Sequence, residues 1–378
     1  MNTRTGLLAS CLAATALIMG GTAWADVIKE ETPLIQIGLL LDTSNSMDGL
    51  IDQAKAQLWK IVNEFVMAKR DGKRPEFQVA LYEYGNNSLD ANEGYVRQIL
   101  PLTPDLDKVS EELFALTTNG GKEYCGTVIR RATDALGWSA SHEDLKMIFI
   151  AGNEPFTQGD VDFRKACPAA IARGVTVNTI FCGPYDEGVS TQWKEGALLA
   201  DGSYMNIDQD QELVHIDAPQ DEEIARLGEA LNDTYIAYGA HGSAGKARQT
   251  AQDAKAGSVA AAVNVQRQAI KASGGYKNVA WDLVDALKEE AVQLEALKEE
   301  DLPEEMKGMS AEEREAHVKA KGEEREKIQE QIQRLNEERK KYVATERKKL
   351  AETGEDTLDA AMIKAIRAQA TKKQYTFE

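Results

Sequence analysis

Leu34-Ile35-Gln36-Ile37-Gly38-Leu39-Leu40-Leu41 is apolar almost throughout, and such a run predicts a strand buried on both faces. Leu50, Ile51, Ala54, Leu58, Ile61, Val62 and Phe65 follow at helical spacing and predict a helix over residues 48–69. A turn cluster, Asp71-Gly72-Lys73-Arg74-Pro75, precedes an alternating strand, Phe77 to Tyr84. A second alternating strand, Tyr95 to Leu100, reads as an edge. Pro104-Asp105 opens a helix through Val109, Leu113 and Leu116. Further elements are a helix from Val128 to Leu136, a buried strand from Met147 to Ala151 and a helix over 160–173 bent at Pro168. A strand from Val175 to Phe181, a short helix from Trp193 to Leu199, a strand from Tyr204 to Ile207 and a helix from Glu222 to Tyr238 complete the series. Strands alternating with helices predict an α/β fold: a mainly parallel sheet covered by helices on both faces.

The rhythm changes at Gly239. Gly242-Ser243-Ala244-Gly245 reads as a linker, and residues 246–272 form a helix by propensity that Ser273-Gly274-Gly275 stops. Trp281, Val284, Leu287, Ala291 and Leu294 make another amphipathic helix, broken at Leu302-Pro303. Ser310 and Glu313 have capping-box spacing, and a long charged helix runs from there to about Leu350. Its seam is Ile328, Ile332, Leu335 and Tyr342, interrupted by Arg339, which suits a helical hairpin or short coiled coil. Such a seam packs on its own chain or serves oligomerisation. Residues 358–370 predict a terminal helix. The expected organisation is thus an α/β domain at 26–240 and an α-helical extension at 241–378.

Composition alters this picture in three ways. A formal net charge of −18 disfavours nucleic acid as a partner. Arg4, the apolar stretch Leu7 to Ile18 and Ala23-Trp24-Ala25 before Asp26 have the form of a signal peptide at residues 1–25. Leu8-Ala9-Ser10-Cys11 is a weaker lipoprotein-like match. No other stretch is long and apolar enough to span a membrane, so the expectation is an exported, periplasmic protein. Export also bears on Cys125, Cys167 and Cys182. A strand–helix–strand crossover would carry Cys167 and Cys182 towards one sheet edge, predicting a disulfide between them and a free Cys125.

The candidate chemistry lies where the first strand ends. Asp42, Ser44 and Ser46 occupy alternate positions on a tight strand-to-helix loop, where open α/β sheets place ligands. One carboxylate and two hydroxyls suit a hard divalent cation, Mg2+, Mn2+ or Ca2+. Asp-x-Ser-x-Ser after an apolar strand resembles the metal-ion-dependent adhesion site (MIDAS) of von Willebrand factor type A (VWA) domains, and the order of elements over residues 33–240 resembles that family too. The helical half resembles the extension of some uncharacterised exported bacterial proteins of this class.

The resemblance implies two further ligands, a Thr from a second loop and an Asp after the fourth strand, and the chain departs from both. Glu123 stands where the Thr is expected, while Thr127, the candidate by residue type, falls inside the following helix. The family's Thr-Asp-Gly is replaced by Ala151-Gly152-Asn153, which removes the carboxylate and leaves Asn153 or Glu154 as substitutes. One carboxylate is lost and one gained, which predicts Glu123 on the ion opposite Asp42.

No enzyme is expected. The four histidines are scattered, no phosphate-binding Gly-x-x-x-x-Gly-Lys loop is present, and Cys125 lacks a base in its sequence context. The resemblance implies a binding protein whose cation is completed by an acidic side chain of a protein partner. The alternative is an assembly protein in which the helical half is the working scaffold.

Overall fold

The structure, a computed structural model, describes residues 32–47, 51, 59, 62–65, 68–207, 216–351 and 358–377. Residues 1–25, with the expected signal peptide and Cys11, lie outside the described residues. Strands β1 (Leu34–Asp42), β3 (Glu76–Tyr84), β4 (Val96–Thr103), β5 (Leu145–Gly152), β6 (Val175–Cys182) and β7 (Tyr204–Ile207) form one sheet in the order β4-β3-β1-β5-β6-β7. Every neighbouring pair is parallel except β3 with β4, so the expected edge strand is also the antiparallel one. β1 and β5 are buried along nearly their whole length, which is why they read as continuous apolar runs.

Side chains alternate across the sheet and divide the core in two. On one face Ile37, Leu39, Met147 and Phe149 pack with Trp59, Val109, Leu113, Ile224 and Leu227. On the other, Leu40, Ile148 and Ile150 pack with Val128, Ile129, Phe163, Cys167 and Trp193. Helices Leu106–Phe114 and Asp221–Asn232 thus cover the first face, and Cys125–Ala135, Phe163–Ala172 and Trp193–Leu199 the second.

Several boundaries differ from expectation. The helix expected over 48–69 does not reach its predicted end, since Ala68–Lys69 form a short strand, β2, paired with β8 (Thr376–Phe377). The helix expected to reach Tyr238 ends at Asn232. Beyond it the backbone is drawn out to meet a later turn, where Ala237 bridges Asp282. Tyr185–Ser190 is a helix too short for its periodicity to register.

Thr32–Glu378 forms one compact unit, in which the helical region expected at 241–378 packs on the α/β region. The glycine-rich segment is no linker: Gly242–Val259 is helical from its first residue, and Gly245 lies against the Trp281 ring. Extended backbone at Ala260 separates it from helix Ala261–Lys271, so the one helix predicted over 246–272 is two. Ala256, Val263 and Ile270 belong to the same core as Trp59 and Val109. The Trp281 pattern yields only Leu283–Lys288 and then 3-10 turns.

Helix Ala311–Ala351, 41 residues and about 60 Å long, begins with the expected capping box. Glu313 N–H donates to Ser310 Oγ (3.2 Å) and Ser310 N–H to Glu313 Oε2 (2.8 Å). Its seam faces the rest of the chain. Val318, Arg325, Ile328, Ile332 and Arg339 are buried, whereas Tyr342 is exposed. The helix packs along Asp221–Asn232, Ala261–Lys271 and Leu283–Lys288 rather than along an antiparallel partner of its own. Arg339 does not interrupt the seam: its Nε donates to Asp221 Oδ1 (2.6 Å). Arg325 donates to Asp282 (2.7 Å) and lies 4.0 Å above the Tyr235 ring. Helix Leu358–Lys372 then returns to the sheet beside β7, where Gln369 and Asn178 exchange amide hydrogen bonds.

The packing of Leu106–Phe114 against the helical region includes a closed group of charges. Arg267 Nη1 donates to Asp107 Oδ1 (2.7 Å) and its Nε to Asp253 Oδ1 (2.6 Å). Lys271 Nζ donates to Asp253 Oδ2 (2.7 Å) and Asn232 Oδ1 (2.6 Å), and Tyr276 OH to Asp107 Oδ2 (2.7 Å). Arg267 and Lys271 are fully buried.

Candidate metal-binding site

β1, β3 and β5 all end at one edge of the sheet, and the loops that follow converge there. Asp42 is the last residue of β1, paired with Tyr84 at the end of β3. Its carboxylate closes the next turn: Ser44 N–H donates to Asp42 Oδ1 (2.7 Å) and Ser44 Oγ–H to Asp42 Oδ2 (3.1 Å). A 3-10 turn, Asn45–Met47, follows at once and lifts Ser46 to the surface with its Oγ 3.3 Å from that of Ser44. Asn153, from the loop after β5, donates Nδ2–H to Ser46 Oγ (3.0 Å), while its Oδ1 is buried without a donor. Two hydroxyls and an amide are thus linked in a chain that leads from the surface to Asp42.

Glu123 reaches Asp42 from the second loop. Asn119 N–H donates to Thr43 C=O (2.9 Å) and Asn86 Nδ2–H to Thr117 C=O (3.0 Å), which pins the second loop to the ends of β1 and β3. The approach depends on a glycine pair. A Cβ on Gly121 would lie 1.8 Å from Gly85 C=O, and one on Gly85 would lie 2.5 Å from Asp42 Oδ1. Glu123 is then held by its N–H donating to Gln158 Oε1 (2.8 Å) and by Glu154 N–H donating to its Oε2 (3.1 Å).

The carboxyl groups of Asp42 and Glu123 consequently meet within hydrogen-bonding range, both almost completely buried. Burial, then the charge of Glu123 and the contact with it, pushes the Asp42 carboxyl well above the usual carboxylate range, against the hydrogen bonds from Ser44. Among the described residues no Lys, Arg or His pairs with either group. Two buried acids without a cation, beneath converging hydroxyls, form a donor set that fits a hard divalent ion.

The structure brings together Asp42, Ser44, Ser46, Glu123 and Asn153. Thr127 stands apart, in the first turn of Cys125–Ala135 with its methyl against Gly94. Gln158, which orients the Glu123 loop, was missed; it lies in an irregular segment with no spacing to mark it. Tyr84 was also missed, because it reads as one more apolar strand position. Its hydroxyl donates to Ala151 C=O (2.8 Å) beneath the carboxylates.

The expected Cys167–Cys182 disulfide is absent: Cys125, Cys167 and Cys182 are free and buried. Cys182 follows Phe181, and the two side chains point to opposite faces. Phe181 packs with Cys167, and Cys182 lies in the core on the other side. The sheet stands between the two sulfurs. Burial, then the nearby Glu123, pushes the Cys125 thiol well above its ordinary range, which keeps it protonated and a poor nucleophile.

A mainly parallel α/β sheet covered by helices on both faces, with an Asp-x-Ser-x-Ser loop at its carboxyl end, defines a class of α/β domain. The chain carries such a domain: residues 36–196 match the family model of the von Willebrand factor type A domain. Among curated proteins nothing matches. Solved structures to which the chain is similar include the conserved hypothetical protein BatB from Bacteroides thetaiotaomicron, at 16% identity and a TM-score of 0.35, covering 46% of this chain and 90% of that one. The SpRpn10 VWA domain is similar at 16% identity and 0.37, covering 48% and 91%. The vWF domain of the type V pili tip protein Mfa5 from Porphyromonas gingivalis is similar at 12% and 0.34, covering 47% and 90%.

Proposed function

We propose that this is a binding protein, not an enzyme, and that Asp42, Ser44, Ser46 and Glu123 hold a divalent cation through which it engages a protein partner. One observation carries the reading: Asp42 and Glu123 are buried against each other, and the described residues supply no positive charge to offset them. The VWA match supports a role in protein interaction. Mg2+, Mn2+ or Ca2+ at this site would supply a positive point charge whose coordination an acidic side chain of the partner completes. Ser46 and Asn153, at the surface, set where that side chain enters. Ser44 orients Asp42, and the Gly85–Gly121 contact keeps the Glu123 loop from withdrawing. Among the described residues no helix is long and apolar enough to cross a membrane. We propose export to the periplasm with removal of residues 1–25, so that sequencing of protein from its host should begin at Asp26.

Calorimetry with the three cations tests the site: wild type should bind at least one, and Asp42→Ala none. Capture of an envelope partner should be lost with chelator. The scaffold alternative draws no support from the long helix, whose apolar seam is spent on its own chain. A mass measurement of the whole chain showing a stable oligomer would revive it.

A further inference from the structure

We infer that Tyr84 and Trp193 decide which loop supplies the second carboxylate, by filling the volume that a side chain at position 152 would need. The part of this inference that concerns the cation rests on the metal-binding reading above; the steric part does not. Gly152 ends β5 directly beside Asp42. A Cβ there would lie 2.5 Å from the Tyr84 hydroxyl oxygen, 3.1 Å from Trp193 Cη2 and 3.2 Å from Asp42 Cβ. The first distance is far inside van der Waals contact and the others are tight, so a carboxymethyl group has nowhere to go.

Neither obstacle is a flexible chain end. Tyr84 is fully buried, and its hydroxyl is fixed by donation to Ala151 C=O (2.8 Å). Trp193 is also fully buried; its Nε1–H donates to Glu154 C=O (2.8 Å), and Phe156 stands 4.8 Å from its ring centroid. The β5 loop reaches the site in another way, since Glu154 N–H donates to Glu123 Oε2 (3.1 Å). It provides a backbone donor to the carboxylate from the neighbouring loop and no carboxylate of its own. Tyr84, Gly152 and Trp193 therefore act as one steric unit, and Glu123 is the acid that this unit leaves room for.

Two measurements test this. The first is a thermal-unfolding cycle without added metal. Gly152→Ala should lower the midpoint, and should lower it distinctly less in the Tyr84→Phe background, where the closest obstacle is gone. Equal losses in both backgrounds would overturn the steric unit. The second is calorimetry with Ca2+, Mg2+ and Mn2+. Glu123→Gln should weaken binding by about tenfold or more. Adding Gly152→Asp should restore nothing, and adding Tyr84→Phe as well should recover most of the loss. Recovery with Tyr84 intact, or none after its hydroxyl is removed, would overturn the assignment of Tyr84 as the barrier. If wild type binds no cation, the metal reading fails, and the thermal cycle still decides the steric inference.

Discussion

Two of the groups of buried carboxylates in this molecule differ in what faces them. Against helix Leu106–Phe114, Asp107 and Asp253 are met by Arg267 and Lys271, two cations for two anions, with Tyr276 and Asn232 filling further bonds. At the end of β1, Asp42 and Glu123 accept hydrogen bonds from Ser44 and Glu154, and no cation among the described residues faces them. Burying a charge is tolerable when it is paired and hydrogen-bonded, and costly otherwise. The first group is complete within the chain and reads as architecture. The second has no cation among the described residues, and this is the observation on which the proposed metal site rests.

The largest effect should come from opening the complete group. Arg267→Met leaves Asp107 and Asp253 underpaired in the core and should lower stability to chemical denaturation by about 3–5 kcal/mol. Lys271 gives a pH signature. Its ammonium is pushed down from 10.5 to about 8, first by burial, against the pull of Asp253. A lysine with a folded value below its unfolded one destabilises the fold while both states are protonated. That cost fades as pH rises from about 8 towards 10.5. Measured against Lys271→Met, wild type should gain up to about 3 kcal/mol across that window.

The incomplete group should respond in the opposite sense. A cation at about a hundred times its dissociation constant should stabilise wild type by about 2.7 kcal/mol, seen as a higher unfolding midpoint, and should do little for Asp42→Ala. The smallest effect is the one that separates the two sites best. Without metal, Glu123→Gln removes one buried charge and lets an amide donate to Asp42, so denaturation should show stabilisation by about 1–2 kcal/mol. Loss of stability in that variant would put Glu123 in the same class as Asp107.

The sheet was legible because each strand carries its own signal: two-faced burial makes β1 and β5 continuous runs, and β7 was located to the residue. Asp42, Ser44 and Ser46 were legible because they lie within one short loop. Glu123 was reached by counting charge between two loops. The rest depends on contacts that no local pattern encodes. Ala260 splits a helix of good propensity because the two halves must turn to pack, and tertiary context overrides propensity. Arg339 looked like a break in a seam because its partner, Asp221, is 118 positions away. The disulfide failed on a single alternation: Phe181 and Cys182 lie on opposite faces of the sheet, and Cys167 packs on the face of Phe181.

The return of residues 358–377 to the sheet makes the chain a loop fastened without a covalent bond. Tyr375 OH donates to Leu34 C=O across 341 positions, and Phe377 pairs with Ala68. Closing a flexible ring of that length costs about 5 kcal/mol in chain entropy beyond a fixed term, so these contacts cannot start folding and must be among the last to form. By the same reasoning they are the natural first to open. Release of helix Leu358–Lys372 would bare the apolar face of β6 and β7, Ile180, Met205 and Ile207, on which Ala365, Ile366 and Ala370 now pack.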